Sequence, residues 1–202
     1  GPSPYANLTP RQLVSQGMNE FKLSNIQTSI ELFDIADSLV PDSKLTPYLW
    51  QRGISLYYNN EFQQGSNQFR YDVKVNPLDV EEIVWDIACQ NQLKLLDPNY
   101  EIKKMALPQG QKDRRRIMST VYNLFRGDAS EAELASAGHE GSISDEFYAL
   151  FYLGLYCESI GEYSKASNYM KAAVKSEYAT GRGMGDYMTS CARVHCKLRH
   201  WL

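Results

Sequence analysis

Two stretches of the chain repeat one another at a spacing of 36 residues. A glycine, a phenylalanine and a proline share this period, as the pairs Gly17 and Gly53, Phe33 and Phe69, and Pro41 and Pro77. A fixed period of about 20–50 residues is typical of proteins that stack one supersecondary unit on the next. The period therefore predicts one structural unit that occurs twice in tandem.

The apolar pattern predicts that this unit is helical. Apolar residues recur at three- and four-residue spacing without sustained alternation, as at Leu49, Ile54, Leu56 and Tyr57, and at Ile83, Ile87 and Leu93. Thr9 before Pro10 is typical of a helix start, and so is Asp42 or Thr46 before Pro47. All eight prolines lie in the first 108 residues, so the remainder can form long helices. We expect an all-α chain.

A third unit fits the same template. Its landmarks are Leu150, Leu153, Gly154, Gly161, Tyr163, Ala166, Met170 and Ala173. A glycine inside a helix costs about 1 kcal/mol relative to alanine, so its return at one position indicates close helix contact. We interpret Gly17, Gly53 and Gly154 as packing residues rather than as chemistry.

The three units resemble the tetratricopeptide repeat (TPR), a helix-turn-helix of about 34 residues. The chain is also similar to the NlpI-like TPR lipoproteins of bacteria, through the segments RGISLYY, YNLFRGDASEAEL and FYLGLYCESIGEYSKASNYMKAAV. The resemblance implies an adaptor that tethers hydrolases and proteases and catalyses nothing itself. It also implies a TPR helical-hairpin solenoid in one domain over residues 9–202, with repeats at about 10–43, 46–79 and 147–180, a divergent helical insert at 80–146 and a capping helix at 184–200.

A TPR stack binds partners in the groove that its first helices line, so the resemblance implies a set of groove residues. Carried over residue by residue, they are Val14, Met18, Phe21, Lys22, Trp50, Ile54, Tyr57, Tyr58, Phe151, Leu155 and Glu158. We expect Trp50, Tyr57 and Tyr58 to contribute most to affinity, at about 2 kcal/mol each. Burial of these residues under a neighbouring helix is the equal alternative.

The predicted groove is aromatic and apolar, which indicates the kind of partner. TPR co-chaperones that hold acidic chain ends use a clamp of Lys and Asn, where this chain has Val14, Met18 and Gln51. The sequence therefore favours an apolar or aromatic-anchored protein or peptide, docked as a helix or as an extended segment.

The run Arg114, Arg115 and Arg116 offers an alternative function, in which a helical-repeat protein binds RNA or an acidic partner. On a helix the three side chains would spread over about 200°, so at most two would serve one surface. A net charge of −3 gives no general attraction to nucleic acid. Nucleic acid is therefore not the expected partner.

The sequence predicts no catalytic, cofactor or metal site. Cys191, His195, Cys196 and His200 have metal-ligand chemistry, but on one helix they face different directions. Neither a nucleophile elbow nor a phosphate-binding loop occurs, and we interpret residues 181–185 as a hinge between helices. The four cysteines are expected to be free buried thiols.

Residues 1–8 resemble the remnant of a protease-cleavage site followed by a flexible segment. We expect that a native leader has been removed, and the compartment stays open between an organelle such as the chloroplast and the bacterial envelope. The lipidated N-terminal cysteine of NlpI-like proteins does not occur in this chain. No apolar run reaches the roughly 18 residues of a membrane span, so a soluble chain is expected. A homodimer is a further alternative, since incompletely capped repeats expose helix faces.

Overall fold

Helices joined by short turns account for about 70% of the chain in the computed structural model, which describes residues 3–202, and no strand occurs in that range. The predicted all-α class is thus confirmed. The helices are α1 (Pro10–Lys22), α2 (Ile26–Leu39), α3 (Trp50–Tyr58), α4 (Phe62–Val75), α5 (Val80–Leu96), α6 (Arg116–Arg126), α7 (Glu131–Glu140), α8 (Ile143–Ser159), α9 (Tyr163–Lys175), α10 (Glu177–Thr180) and α11 (Tyr187–Arg199).

Three helical hairpins share one packing contact. In α1–α2, α3–α4 and α8–α9, a glycine of the first helix lies against a large side chain 16 residues later. A Cβ atom on the glycine would come within 2.7, 2.6 and 2.9 Å of that side chain for Gly17–Phe33, Gly53–Phe69 and Gly154–Met170, respectively. Only glycine allows the helices to approach this closely, so the repeated glycines have equivalent surroundings.

The same hairpins also share their turn. Seven residues after each packing glycine, Ser24, Asn60 and Gly161 adopt positive φ angles of 67°, 60° and 84°. The next residue in each hairpin donates its backbone N–H to a carbonyl five residues earlier, at 2.9, 2.9 and 2.8 Å. Such left-handed closures satisfy the free carbonyls at a helix C-terminus. The three units are therefore alike in turn as well as in packing.

The start of the second hairpin differs from the prediction. Thr46 does not cap a helix that begins at Pro47, because its hydroxyl donates to Asp37 of α2 at 2.6 Å. Residues Thr46–Tyr48 form a 3₁₀ turn instead, and α3 begins at Trp50. In the first hairpin, by contrast, Thr9 caps α1 as the sequence predicts, through a reciprocal hydrogen-bond pair with Gln12.

The region between the second and third repeated hairpins supplies the centre of the core. Helix α5 begins the predicted insert and packs against α3, α4, α6 and α8. The segment 97–115 that follows it contains no helix, and side chains attach it to the helices. Gln90 of α5 bonds to the backbone of Lys103, and Tyr122 of α6 accepts the N–H of Leu107 at 3.0 Å.

Both ends of the described chain pack onto the helices. Tyr5 and Leu8 lie against a small apolar cluster of α1 and α2, so part of the predicted flexible segment is ordered, whereas residues 1 and 2 lie outside the described residues. At the other end, residues 181–185 form the turn between α10 and α11, and α11 packs against both α9 and α1. Helix α11 thus reaches across from the last hairpin to the first.

Candidate functional site

The expected open groove is largely covered by a helix of the same chain. Its predicted residues lie on the inner helices, as Met18, Phe21 and Lys22 on α1, Trp50, Ile54, Tyr57 and Tyr58 on α3, and Leu155 and Glu158 on α8. Six of them are buried, and Lys22 is exposed while Met18 and Trp50 are half-buried. The ring of Phe21 lies 5.4 Å from that of Tyr187, and the ring of Tyr58 lies 5.2 Å from that of His195. Helix α11 therefore covers part of the apolar inner face, and α5 covers another part through the contact of Trp85 with Tyr57.

A buried ion cluster holds α11 in this position. Glu158 of α8 accepts hydrogen bonds from Tyr57 at 2.9 Å, from Arg199 Nε and Nη2 at 3.0 and 3.1 Å, and lies 2.7 Å from His195 Nε2. The other ring nitrogen of His195 lies 2.7 Å from the hydroxyl of Tyr58. We call these five residues the α11 clasp. They connect α3, α8 and α11 through groups that satisfy one another.

The electrostatics of the clasp favour a structural role. Burial opposes ionisation of Glu158, but His195 and Arg199 hold the pKa of its carboxyl well below the ordinary value. Burial, with Glu158 nearby, raises the pKa of Tyr57, and burial chiefly raises that of Tyr58, so both phenols stay protonated. The hydroxyl of Tyr57 is bonded to Glu158 of α8 and that of Tyr58 lies against His195 of α11, so both tyrosines have the buried surroundings named above as the alternative to a binding role.

A cavity lies on this inner face. It has a volume of about 330 Å³ and lies where α3, α5, α8 and α11 meet. Its lining residues are Trp50, Ile54, Phe69, Asp79, Glu81, Glu82, Trp85, Tyr148, Asp186, Tyr187 and Met188. We call it the acidic-aromatic pocket. Its volume is near the lower end of the range for small-molecule sites, about 300–1,000 Å³.

Sequence reasoning found only two residues of this pocket. Trp50 and Ile54 belong to the predicted groove, whereas Trp85, Glu82 and Tyr187 come from helices outside the repeat template. A local signal did exist, since Asp79 and Asp186 are capping residues that place carboxylates next to buried aromatic residues. Nothing in the sequence alone predicts that the start of α5 and the start of α11 lie next to each other.

Three of the four carboxylates that line the pocket have defined roles. Asp79 accepts the backbone N–H groups of Glu81 and Glu82 at the start of α5. Glu81 accepts a hydrogen bond from Arg115 at 2.8 Å. Asp186 accepts the hydroxyl of Tyr148 at 2.6 Å and caps α11.

Glu82 and Tyr187 differ from these residues, because each carries a buried oxygen with no hydrogen-bond partner. Burial, followed by the nearby charges of Asp79, Asp72 and Glu81, raises the pKa of Glu82 to about 9. An unpaired buried oxygen costs about 1–3 kcal/mol, so a donor that entered the pocket would remove a penalty. These two residues mark the pocket as a site that can receive a hydrogen-bond donor.

The basic run does not lie on a helix face as expected. Helix α6 begins at Arg116, because Asp113 accepts the backbone N–H of Arg115 at 2.7 Å and keeps the preceding residues out of the helix. Arg114, Arg115 and Arg116 are all exposed, but the guanidinium of Arg115 pairs with Asp113 and Glu81. One of the three charges is therefore offset within the chain.

Cys191, His195 and Cys196 of α11 serve packing and the clasp, and His200 is exposed. Both ring nitrogens of His195 are in hydrogen bonds, and Cys191 lies 3.6 Å from the hydroxyl of Tyr58. Cys196 is buried, and His200 adopts a left-handed conformation just after the helix. These contacts explain the placement of Cys191, His195 and Cys196.

A thiol and two carboxylates meet elsewhere, on the outer side of α8 and α9. The side chains of Glu131, Cys157 and Glu162 offer ligand atoms within 4.8 Å of one another. The ammonium group of Lys165 lies 3.2 Å from Glu131 and 3.0 Å from Glu162, so it already pairs with both carboxylates. The cluster is explained by these ion pairs.

Neither a scan against protein-family models nor a search of curated protein sequences finds a match to this chain. Among the described residues, none of the helices combines the length and the apolar character that a membrane crossing requires. The function must therefore be argued from the hairpins, the clasp and the acidic-aromatic pocket.

Proposed function

We propose that the chain is a non-catalytic TPR-like adaptor that binds partner proteins or peptides through the inner face of its helical stack, and so recruits or assembles a protein complex. Three hairpins with the same glycine contact and the same turn support a repeat architecture. The resemblance of the sequence to NlpI-like TPR proteins supports the adaptor role. Repeat stacks of this kind bind other chains on their concave side.

The acidic-aromatic pocket is the observation that carries the proposal. It is a cavity on the expected binding face that α11 leaves unfilled, and it includes the half-buried ring of Trp50. Tryptophan next to a pocket is a common anchor of protein interfaces, since it offers a large contact area with few rotatable bonds. A partner segment would therefore place one side chain in the pocket and the rest along the rim.

A peptide library selected against the native chain tests this function. We expect selected peptides to lose about 30-fold in affinity on Trp50→Ala, which corresponds to about 2 kcal/mol for one anchor residue. Isothermal titration calorimetry measures the loss, and circular dichroism checks the fold. Tyr71→Ala removes an exposed aromatic residue outside the pocket and should leave the affinity unchanged. Equal binding to both variants would contradict the proposal.

The basic run supports the RNA-binding alternative less well, because Arg115 already forms ion pairs with Asp113 and Glu81. The two functions respond differently to salt. Binding to several phosphates weakens steeply with ionic strength, because the effect grows with the number of charge contacts, whereas one side chain anchored in the pocket changes far less. A salt titration of the selected partner, with RNA of random sequence as the comparison, separates them.

A further inference from the structure

The charge of the acidic-aromatic pocket points to a cationic ligand. The acidic side chains of Asp79, Glu81 and Asp186 line it, and within residues 3–202 none of the basic side chains does. Glu82, whose pKa burial raises to about 9, lines it in its neutral form until a cation enters. Arg115 pairs with Glu81 from outside the lining. A negative cavity with apolar walls concentrates its field and attracts a positive group.

Two lining residues also carry a buried oxygen that has no hydrogen-bond partner. Glu82 is 7% exposed and Tyr187 is 8% exposed, and each has an oxygen that finds no partner. Buried polar atoms are nearly always paired, so two unpaired oxygens in one cavity indicate a bound group that supplies N–H donors. This observation is independent of the net charge.

The aromatic rings favour one type of cation. The rings of Trp50 and Tyr187 lie 5.5 Å apart and nearly perpendicular, and the ammonium of Lys22 already lies 5.9 Å above the Tyr187 ring. A guanidinium is flat, weakly hydrated and carries five N–H donors, so it can stack on a ring while bonding to a carboxylate. An ammonium group can lie over a ring, as that of Lys22 does, but it is compact and cannot stack flat on the ring while its N–H groups reach a carboxylate.

We infer that the pocket binds the guanidinium group of an arginine side chain from the partner, with Glu82 and Tyr187 accepting its N–H groups and Trp50 stacking against it. The inference rests on the proposed function, since the arginine belongs to the recruited chain. Ile54 and Met188 would contact the apolar stem of that side chain.

The tryptophans provide the test. Trp50 and Trp85 line the pocket, whereas Trp201 stacks on His195 outside it. Nα-acetyl-argininamide should shift the indole N–H signals of Trp50 and Trp85 in NMR spectra and leave that of Trp201 in place. Single Trp→Phe variants assign the three signals. The neutral isostere Nα-acetyl-citrullinamide should bind about tenfold more weakly, as loss of a charge-assisted hydrogen bond predicts.

Variants locate the contact within the pocket. Glu82→Gln and Tyr187→Phe should each weaken argininamide binding, by about tenfold and about threefold. Tyr187→Phe keeps the ring, so it remains informative if Glu82→Gln is poorly folded. Glu31→Gln, an exposed change on α2, is the matched control and should have no effect.

Equal binding of argininamide and citrullinamide would overturn the inference, as would equal binding of Nα-acetyl-lysinamide or shifts that survive both pocket variants. The adaptor proposal can fail separately. Selected peptides that need Trp50 but contain no required arginine would leave the adaptor proposal intact and contradict the inference of a guanidinium ligand. Argininamide binding without any selected peptide would do the reverse.

Discussion

Replacement of Glu158 by glutamine should show that this predicted groove residue acts in folding. Each carboxylate oxygen faces two partners: Oε1 faces Tyr57 and Arg199 Nη2, and Oε2 faces His195 and Arg199 Nε. The amide NH₂ of glutamine would oppose an arginine donor in either orientation. The variant therefore both removes the charge and places two donors against each other.

The expected loss follows from the exposure of the partners. Breaking a fully buried ion pair costs about 3–5 kcal/mol. Arg199 keeps about a quarter of its side-chain surface exposed, and water can compensate it in part. We therefore expect Glu158→Gln to lower the free energy of unfolding by about 2–4 kcal/mol at pH 7.

Urea unfolding at several pH values measures this loss. Because the folded state holds the pKa of Glu158 below its unfolded value of about 4.5, the stabilisation is present above that pH and is lost as the pH falls further. The difference between native chain and variant should shrink in acid. Amide exchange should also accelerate in α11 more than in α4. A variant whose free energy of unfolding lies within about 0.5 kcal/mol of that of the native chain at pH 7 would contradict the stabilising role of the clasp.

Three further outcomes are expected. Gly53→Ala should cost about 1–3 kcal/mol in thermal unfolding, because its Cβ would lie 2.6 Å from the Phe69 ring, and Phe69→Leu in the same chain should recover part of the loss. Glu82→Gln should raise Tm at pH 9 but not at pH 4. The raised pKa of Glu82 makes the native chain lose stability as the pH rises from about 4.5 to 9, whereas glutamine does not titrate. A difference in Tm between the two chains that is the same at both pH values would contradict this. All four thiols are buried, so a thiol reagent should label the native protein slowly and label four groups after denaturation, and fast labelling of any one would show that its helix opens.

The repeated hairpins could be predicted from the sequence because their determinants are local. A glycine and a large residue 16 positions later, with a turn between them, lie within one unit and recur in the others. The starts of individual helices could not be predicted as well, because they depend on side-chain contacts that the spacing of residues in the sequence does not show. Thr46 bonds to α2 rather than capping α3, and Asp113 delays the start of α6.

The site could be predicted only in part because it depends on contacts over long sequence distances. The repeat template placed Trp50 and Glu158 on the inner face, but it contained no information on what covers that face. Helix α11 meets Tyr58 through His195, which lies 137 residues later in the chain. Covering an apolar face with a helix of the same chain is favourable, and the acidic-aromatic pocket lies where α11 leaves that face unfilled.

A crystal structure of the chain with the tightest selected peptide tests the central claim most directly. The account predicts one peptide side chain inside the acidic-aromatic pocket, against Trp50 and beside Glu82, with α11 still held by its clasp. A peptide bound on the outer face of the hairpins, or seated in place of a displaced α11, would contradict it.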